Sequence, residues 1–243
     1  MTLLASQSRA VFDTIFDVFA GKYYSFVLIG MIIFALFCQI KVKSTFSKYN
    51  VVTPQNRMRG HEVARMILDM NGLYHVQVVH NEGALTDHYN DRTKTVYLSD
   101  STYGINSISA IGVAAHECGH AIQYARGYGP IKLRNMLAPA VQFCSGAWFW
   151  VLAVGIILEF MPIIEVGIIF YMFVVVFQLV TLPVEFNASK RAMNTLYANE
   201  ILVGSELDGA KQVLSAAAMT YVASFLMSLL QLFRLLLRFA RKR

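Results

Sequence analysis

The sequence predicts a mostly α, multi-pass helical membrane protein, with about four spans and a small α+β domain carrying an antiparallel sheet and one long apolar helix. Three observations carry that prediction. Of 243 residues 56% are hydrophobic and only 15% charged, and the mean hydropathy is +0.48; an ordinary soluble domain carries roughly 25% charged residues. The apolar residues are gathered in four charge-free runs, 23–40, 135–158, 166–184 and 213–233. A helix needs about 20 apolar residues to cross the hydrocarbon layer. Finally, the polar residues collect in two stretches, 41–134 and 185–212.

Taken in order, residues 1–22 place Val11, Phe12, Ile15, Phe16 and Phe19 among Arg9, Asp13 and Asp17, the pattern of an amphipathic helix lying on a membrane surface or packed on the bundle. No small-residue cleavage site marks a removable leader. The first span covers 23–40, and Tyr23 and Tyr24 suit an interfacial position, as do Trp148, Phe149 and Trp150 in the second run. A hairpin, 135–184, joins the second and third spans through Glu159–Glu165, whose Pro162 breaks a helix. Residues 185–212 form a helical segment, and 213–243 a last transmembrane helix with a basic tail. If all four runs span, 41–134 and 185–212 share one face with fourteen Lys and Arg, against seven on the other. That asymmetry favours a cytoplasmic polar domain, although the tail Arg234, Arg238, Arg241, Lys242 and Arg243 argues the opposite way.

Within 41–134, residues 54–71 read as an amphipathic helix stopped by Gly72. Short strands are expected around Val76 and Val78, over 84–89 and over 95–98, with turns at Asn81–Gly83 and Asn90–Arg92. A helix capped at Asn106 or Ser107 then runs to Arg126, where Gly127-Tyr-Gly-Pro130 ends it. The three cysteines, Cys38, Cys118 and Cys144, are too few and odd in number for a disulfide framework. A net charge of +6 on so apolar a chain points to anionic lipid head groups and away from nucleic acid.

The last helix of this region contains His116-Glu117-Cys118-Gly119-His120. Histidines four residues apart share a helix face, so both imidazoles can reach one ion, and nitrogen donors in this arrangement suit Zn²⁺. Glu117 is rotated by about 100° from His116 and need not ligate, which leaves it free to act as a general base on a water at the ion. Composition alone produces such a pattern in about five chains per thousand. Cys118 turns off the histidine face and reads as a small core residue. A catalytic site needs a third protein ligand. His61, His75, His80, His88 and the glutamates are candidates, and Glu185 stands out because it follows the third span at an expected new helix start after Pro183. It could equally be a first-turn glutamate stabilised by the helix dipole.

Several blocks in order give the chain a resemblance: Lys41–Tyr49, Leu85–Tyr89, Ala110–Ile122, Val180–Ser189 and Leu214–Ala223. It resembles the YugP-type neutral zinc metallopeptidases of bacterial membranes, and more remotely the HtpX-like membrane peptidases, from about Tyr23 to Leu236. The resemblance implies a multi-pass enzyme of the bacterial cytoplasmic membrane with one Zn²⁺ per chain and a zincin-like domain. It implies His116 and His120 as ligands and Glu117 as base, and Glu185 matches the glutamate ligand of the distant relatives. In the HtpX-like pattern an aspartate four residues after that glutamate orients a zinc histidine. Here the position is Ser189, so the serine, Asn187 or another group takes that role.

The function expected is zinc-dependent endopeptidase cleavage, and donors considered for the developing oxyanion are Tyr221, Arg191 and His88. The expected partners are a peptide or protein substrate and the lipid bilayer. The small sheet offers an edge for an extended peptide, with Leu85–Tyr89 nearest the cleft. A catalytically silent zinc-binding membrane adaptor is the competing reading, against which Glu117 has no structural duty. Transport is disfavoured, since no span carries paired internal charges.

Overall fold

The computed structural model describes residues 13–19 and 21–240. Most of the expected N-terminal amphipathic helix, 1–12 and residue 20, lies outside the described residues, and 13–19 is helical. The elements that follow are α1 (Tyr24–Asn50), α2 (Gly60–Met70), β1 (Gln77–Asn81), β2 (His88–Asn90), β3 (Thr95–Ser99), α3 (Ile108–Ala125), α4 (Gly129–Ile157), α5 (Met161–Ala198) and α6 (Ser205–Ala240). Helices α1, α4, α5 and α6 are long and apolar enough to cross a membrane, and each takes in all but at most one residue of one of the four charge-free runs. The chain is thus a mostly helical, multi-pass membrane protein with a small three-stranded sheet.

The described residues form two compact units. One comprises residues up to 37 with 135–180 and 221–240; the other comprises 38–134 and 181–220. In the first, the hairpin between α4 and α5 is tight. Glu159 takes a left-handed backbone (φ 51°), and Pro162 occupies the first turn of α5, where a missing N–H costs nothing. A Cβ on Gly155 would stand 2.7 Å from the backbone nitrogen of Ile164, and one on Gly167 2.9 Å from that of Leu152. Glycine at both points lets the two helices touch backbone to backbone, the usual device where lipid offers no hydrophobic drive. Leu152, Ile164, Ile168, Tyr171, Leu232, Leu235 and Phe239 make this unit's core.

The second unit holds all the candidate chemical residues marked by the sequence except Tyr221. Helix α2 starts later than 54 because residues before it are tied elsewhere: Asn56 donates to the carbonyl of Ile201 at 2.6 Å. Its N-terminus is closed by Glu62, whose carboxylate accepts from the backbone N–H of Arg59 at 2.7 Å. Val63, Ala64, Ile67 and Leu68 are buried against α3, Val96 and Leu98.

The sheet corrects one expectation. Its order is β1-β3-β2, with β2 and β3 antiparallel but β1 and β3 parallel, so it is mixed. The cause lies in the connection after β1. Asp100 accepts from the N–H of Gly83 at 2.9 Å, and Asp87 accepts from both the N–H and the hydroxyl of Ser99 at 2.8 Å. These bonds carry the chain past the end of β3 to its far side, where only residues 88–90 pair. The expected strand over 84–89 shrinks accordingly. Strand β2 is left as an edge, packed on α3 with Tyr89 and Tyr124 ring centroids 5.4 Å apart.

Helix α3 is capped as expected by Ser107, whose Oγ accepts from the N–H of Ala110 at 3.1 Å, and it ends at Gly127 with φ +62°. A Cβ on Gly119 would lie 2.6 Å from the carbonyl oxygen of Ala188, so α3 and α5 meet here at a distance only glycine permits. The expected helix start after Pro183 does not exist. Pro183 lies inside α5, and Glu185 follows it in mid-helix. One lost backbone bond costs less than ending a helix in apolar surroundings, where every freed N–H and C=O would need a new partner.

Candidate metal centre

Close contact between α3 and α5 brings together residues 65 or more positions apart in sequence. His116 and His120 lie one turn apart on α3, ring centroids 4.8 Å apart and edge to face. Opposite them Glu185, 3% exposed, points its Oε2 at both Nε2 atoms, 3.4 Å from that of His116 and 3.7 Å from that of His120. One donor atom from each of the three lies within 4.8 Å of the other two, a spacing that could hold a metal ion. Glu185 Oε2 is buried and has no hydrogen-bond partner. A buried carboxylate oxygen left so is costly unless something is meant to meet it.

The remaining atoms of these three side chains are spoken for. Glu185 Oε1 pairs with the guanidinium of Arg134, 3.6 Å away. Ser189 Oγ stands 3.1 Å from Nδ1 of His116. Nδ1 of His120 lies 3.1 Å from Oε1 of Gln123, a residue with no solvent exposure. Both histidines therefore turn Nε2 to the shared space. Burial would push the His120 imidazole down, but the Glu185 carboxylate beside it and the nearby Glu117 hold it above its ordinary value. The pocket favours positive charge.

Glu117 is 8% exposed and, among the described residues, its carboxylate has no hydrogen bond or ion pair. It follows His116 directly and precedes His120 by three residues, one turn along the same helix. Burial raises the Cys118 thiol, which leans on the carbonyl of Ala64 at 3.5 Å. A thiol in that state is a core group and no metal ligand.

A family model described as "Putative neutral zinc metallopeptidase" matches residues 24–240. The chain belongs to that family. It is also 44% identical over 220 residues to "Putative membrane protease YugP" of Bacillus subtilis (strain 168), covering 90% of this chain and 98% of that protein. No solved structure matches it.

The zinc that this metallopeptidase family implies fits the residues present. Two imidazole nitrogens and one carboxylate oxygen suit Zn²⁺ and leave a fourth position open, as a catalytic site requires. The orphaned Glu185 Oε2 is the structural sign of it. The other residues considered from the sequence lie as follows. His61 stacks on Tyr103 and bonds its carbonyl at 2.7 Å; His80 pairs with Asp100 at 2.6 Å. His88, on β2, stacks on Tyr97 and bonds the carbonyl of Thr86 at 2.9 Å. Arg191 donates to Asn187 Oδ1 at 2.7 Å with its guanidinium over Tyr128, and reaches His120 only through Asn187 and Gln123. Tyr221 lies on α6 in the other unit. Gln123 and Arg134 were not singled out from the sequence. The only hint was position: Gln123 falls one turn beyond His120 on the same helix face, and Arg134 is the last charge before the second apolar run.

Proposed function

We propose that this protein is an integral-membrane zinc endopeptidase in which His116, His120 and Glu185 bind the metal and Glu117 is the general base. The observation that carries this reading is the convergence of two imidazole nitrogens on the orphaned Glu185 Oε2, with the Glu117 carboxylate directly beside His116 on the same helix and, among the described residues, in no hydrogen bond or ion pair. A purely structural metal would need the donors but would have no use for a further acid between the two histidines in sequence.

Zinc, when bound, supplies a Lewis acid that polarises a peptide carbonyl and makes a water acidic enough to give up a proton near neutral pH. Glu117 accepts that proton as the water oxygen bonds to the peptide carbon. The proton passes from Glu117 to the amide nitrogen as the carbon–nitrogen bond breaks, leaving an acid and an amine and the glutamate as it began. Arg134 pairs with Glu185 Oε1, which would leave Oε2 as the oxygen that meets a metal. Substrate peptide binds extended along β2, the edge strand resting on the helix that carries the histidines. The bilayer, with its anionic head groups, is the second partner, and the excess of basic residues in 41–134 and 185–212 supports a site on the cytoplasmic face of a bacterial cytoplasmic membrane.

The test is metal removal. Detergent-solubilised protein should cleave an unfolded protein such as casein, lose that cleavage on treatment with a zinc chelator, and regain it with about one equivalent of Zn²⁺. Cleavage that survives complete removal of zinc would overturn the proposal.

A further inference from the structure

Gln123 is fully buried, yet it is polar and carries no charge to match the site. Both of its N–H donors are used and its oxygen has a partner. Its Nε2 donates to the carbonyl of Val184 at 2.8 Å and to Oδ1 of Asn187 at 3.0 Å, and its Oε1 faces Nδ1 of His120 at 3.1 Å. The two acceptors flank Glu185 in α5, so one side chain touches a metal-binding histidine and grips the helix on both sides of the opposing glutamate.

The direction of this chain is fixed at its far end. Arg191 donates through Nε to the same Asn187 Oδ1 at 2.7 Å, with its guanidinium over the ring of Tyr128. A guanidinium only donates and keeps its proton at every working pH. Asn187 must therefore present its oxygen, Gln123 must point its NH₂ at that oxygen and at Val184, and its carbonyl oxygen must face the imidazole. Only a protonated Nδ1 satisfies that oxygen, and this leaves the lone pair of His120 on Nε2, the atom turned towards Glu185.

We infer that Arg191, Asn187 and Gln123 form a hydrogen-bond relay that sets the tautomer of His120 and registers Glu185 against it, making Gln123 and Asn187 positioning residues of the metal centre. The inference rests on the zinc site proposed above. It divides the orienting role between two groups: Ser189 serves His116 and Gln123 serves His120. No carboxylate takes part beyond Glu185.

The experiment measures the zinc dissociation constant of the full-length solubilised protein by competition with a fluorescent chelator. Circular dichroism melts of the metal-free forms check folding. Gln123→Met keeps the side chain's length and removes its polarity; zinc affinity should fall about 10–100-fold, the usual effect of losing a ligand's orienting partner. Arg191→Met, separated from the histidine by two intervening side chains, should weaken zinc in the same direction, whereas Arg191→Lys, still donor-only, should restore affinity to within about threefold of the wild type. A Gln123→Met protein that binds zinc like the wild type, or an Arg191→Lys protein as weak as Arg191→Met, would overturn the relay while leaving the zinc site intact. A wild-type protein that takes up no zinc would bring down the metal centre itself, and the relay with it.

Discussion

Replacing Glu117 by glutamine should lower peptide cleavage by about two to four orders of magnitude, the range attributed to a single well-placed proton-transfer group, while zinc content stays at the wild-type level. The substitution keeps the shape of the side chain and removes only its ability to take a proton. Among the described residues Glu117 makes no hydrogen bond or ion pair, so its charge acts on the surroundings only through the field it exerts on His120. Stability should hold, because the amide has the same shape and the carboxylate it replaces makes no hydrogen bond or ion pair among the described residues. Zinc analysis, cleavage assays and thermal melts on one preparation distinguish this outcome from unfolding. Cleavage equal to the wild type would remove Glu117 from the chemistry.

Replacing Glu185 by alanine acts on the metal instead. The variant should lose zinc affinity by more than about 100-fold, beyond what the loss of an orienting partner alone costs, and cleavage should fall with metal occupancy. Part of the loss should be recovered at high zinc concentration, because His116 and His120 remain held by Ser189 and Gln123. The guanidinium of Arg134 also loses its acid, so the metal-free variant should melt slightly below the wild type. Unchanged zinc affinity, read by chelator competition, would take Glu185 out of the ligand set.

These residues differ in how visible they were in the sequence. His116, Glu117 and His120 lie within one helical turn, so their spacing already states their geometry. The four spans were legible for a similar reason, since a charge-free run of 18 residues or more has few other uses. Glu185 is legible in the sequence only as an acid following a span, and its mid-helix setting is not. Pro183 reads as a helix break, but α5 runs through it. Local chemistry was overruled there by the cost of exposing backbone in apolar surroundings. The sheet failed in the same direction. Alternation and turn residues revealed three strands, but pairing β1 with β3 in parallel depends on Asp87 and Asp100 fastening a loop to residues twelve or more positions away. Gln123 was illegible because its role exists only when α5 lies against it. Nothing in Ala-Ile-Gln-Tyr tells that the next residues in space are Val184 and Asn187. Gly119 was in view within the motif, yet its purpose, to let the Ala188 carbonyl approach, belongs to the packed structure.

The central claim is that one zinc ion sits between α3 and α5 on two imidazoles and one carboxylate. X-ray absorption at the zinc edge of the purified, zinc-loaded protein tests it most directly. A light-atom shell of about four ligands at about 2.0–2.1 Å, with the outer scattering of two imidazoles and no sulfur, is the expected result. A sulfur shell near 2.3 Å, or imidazole scattering unchanged when His116 and His120 are both replaced by alanine, would contradict it.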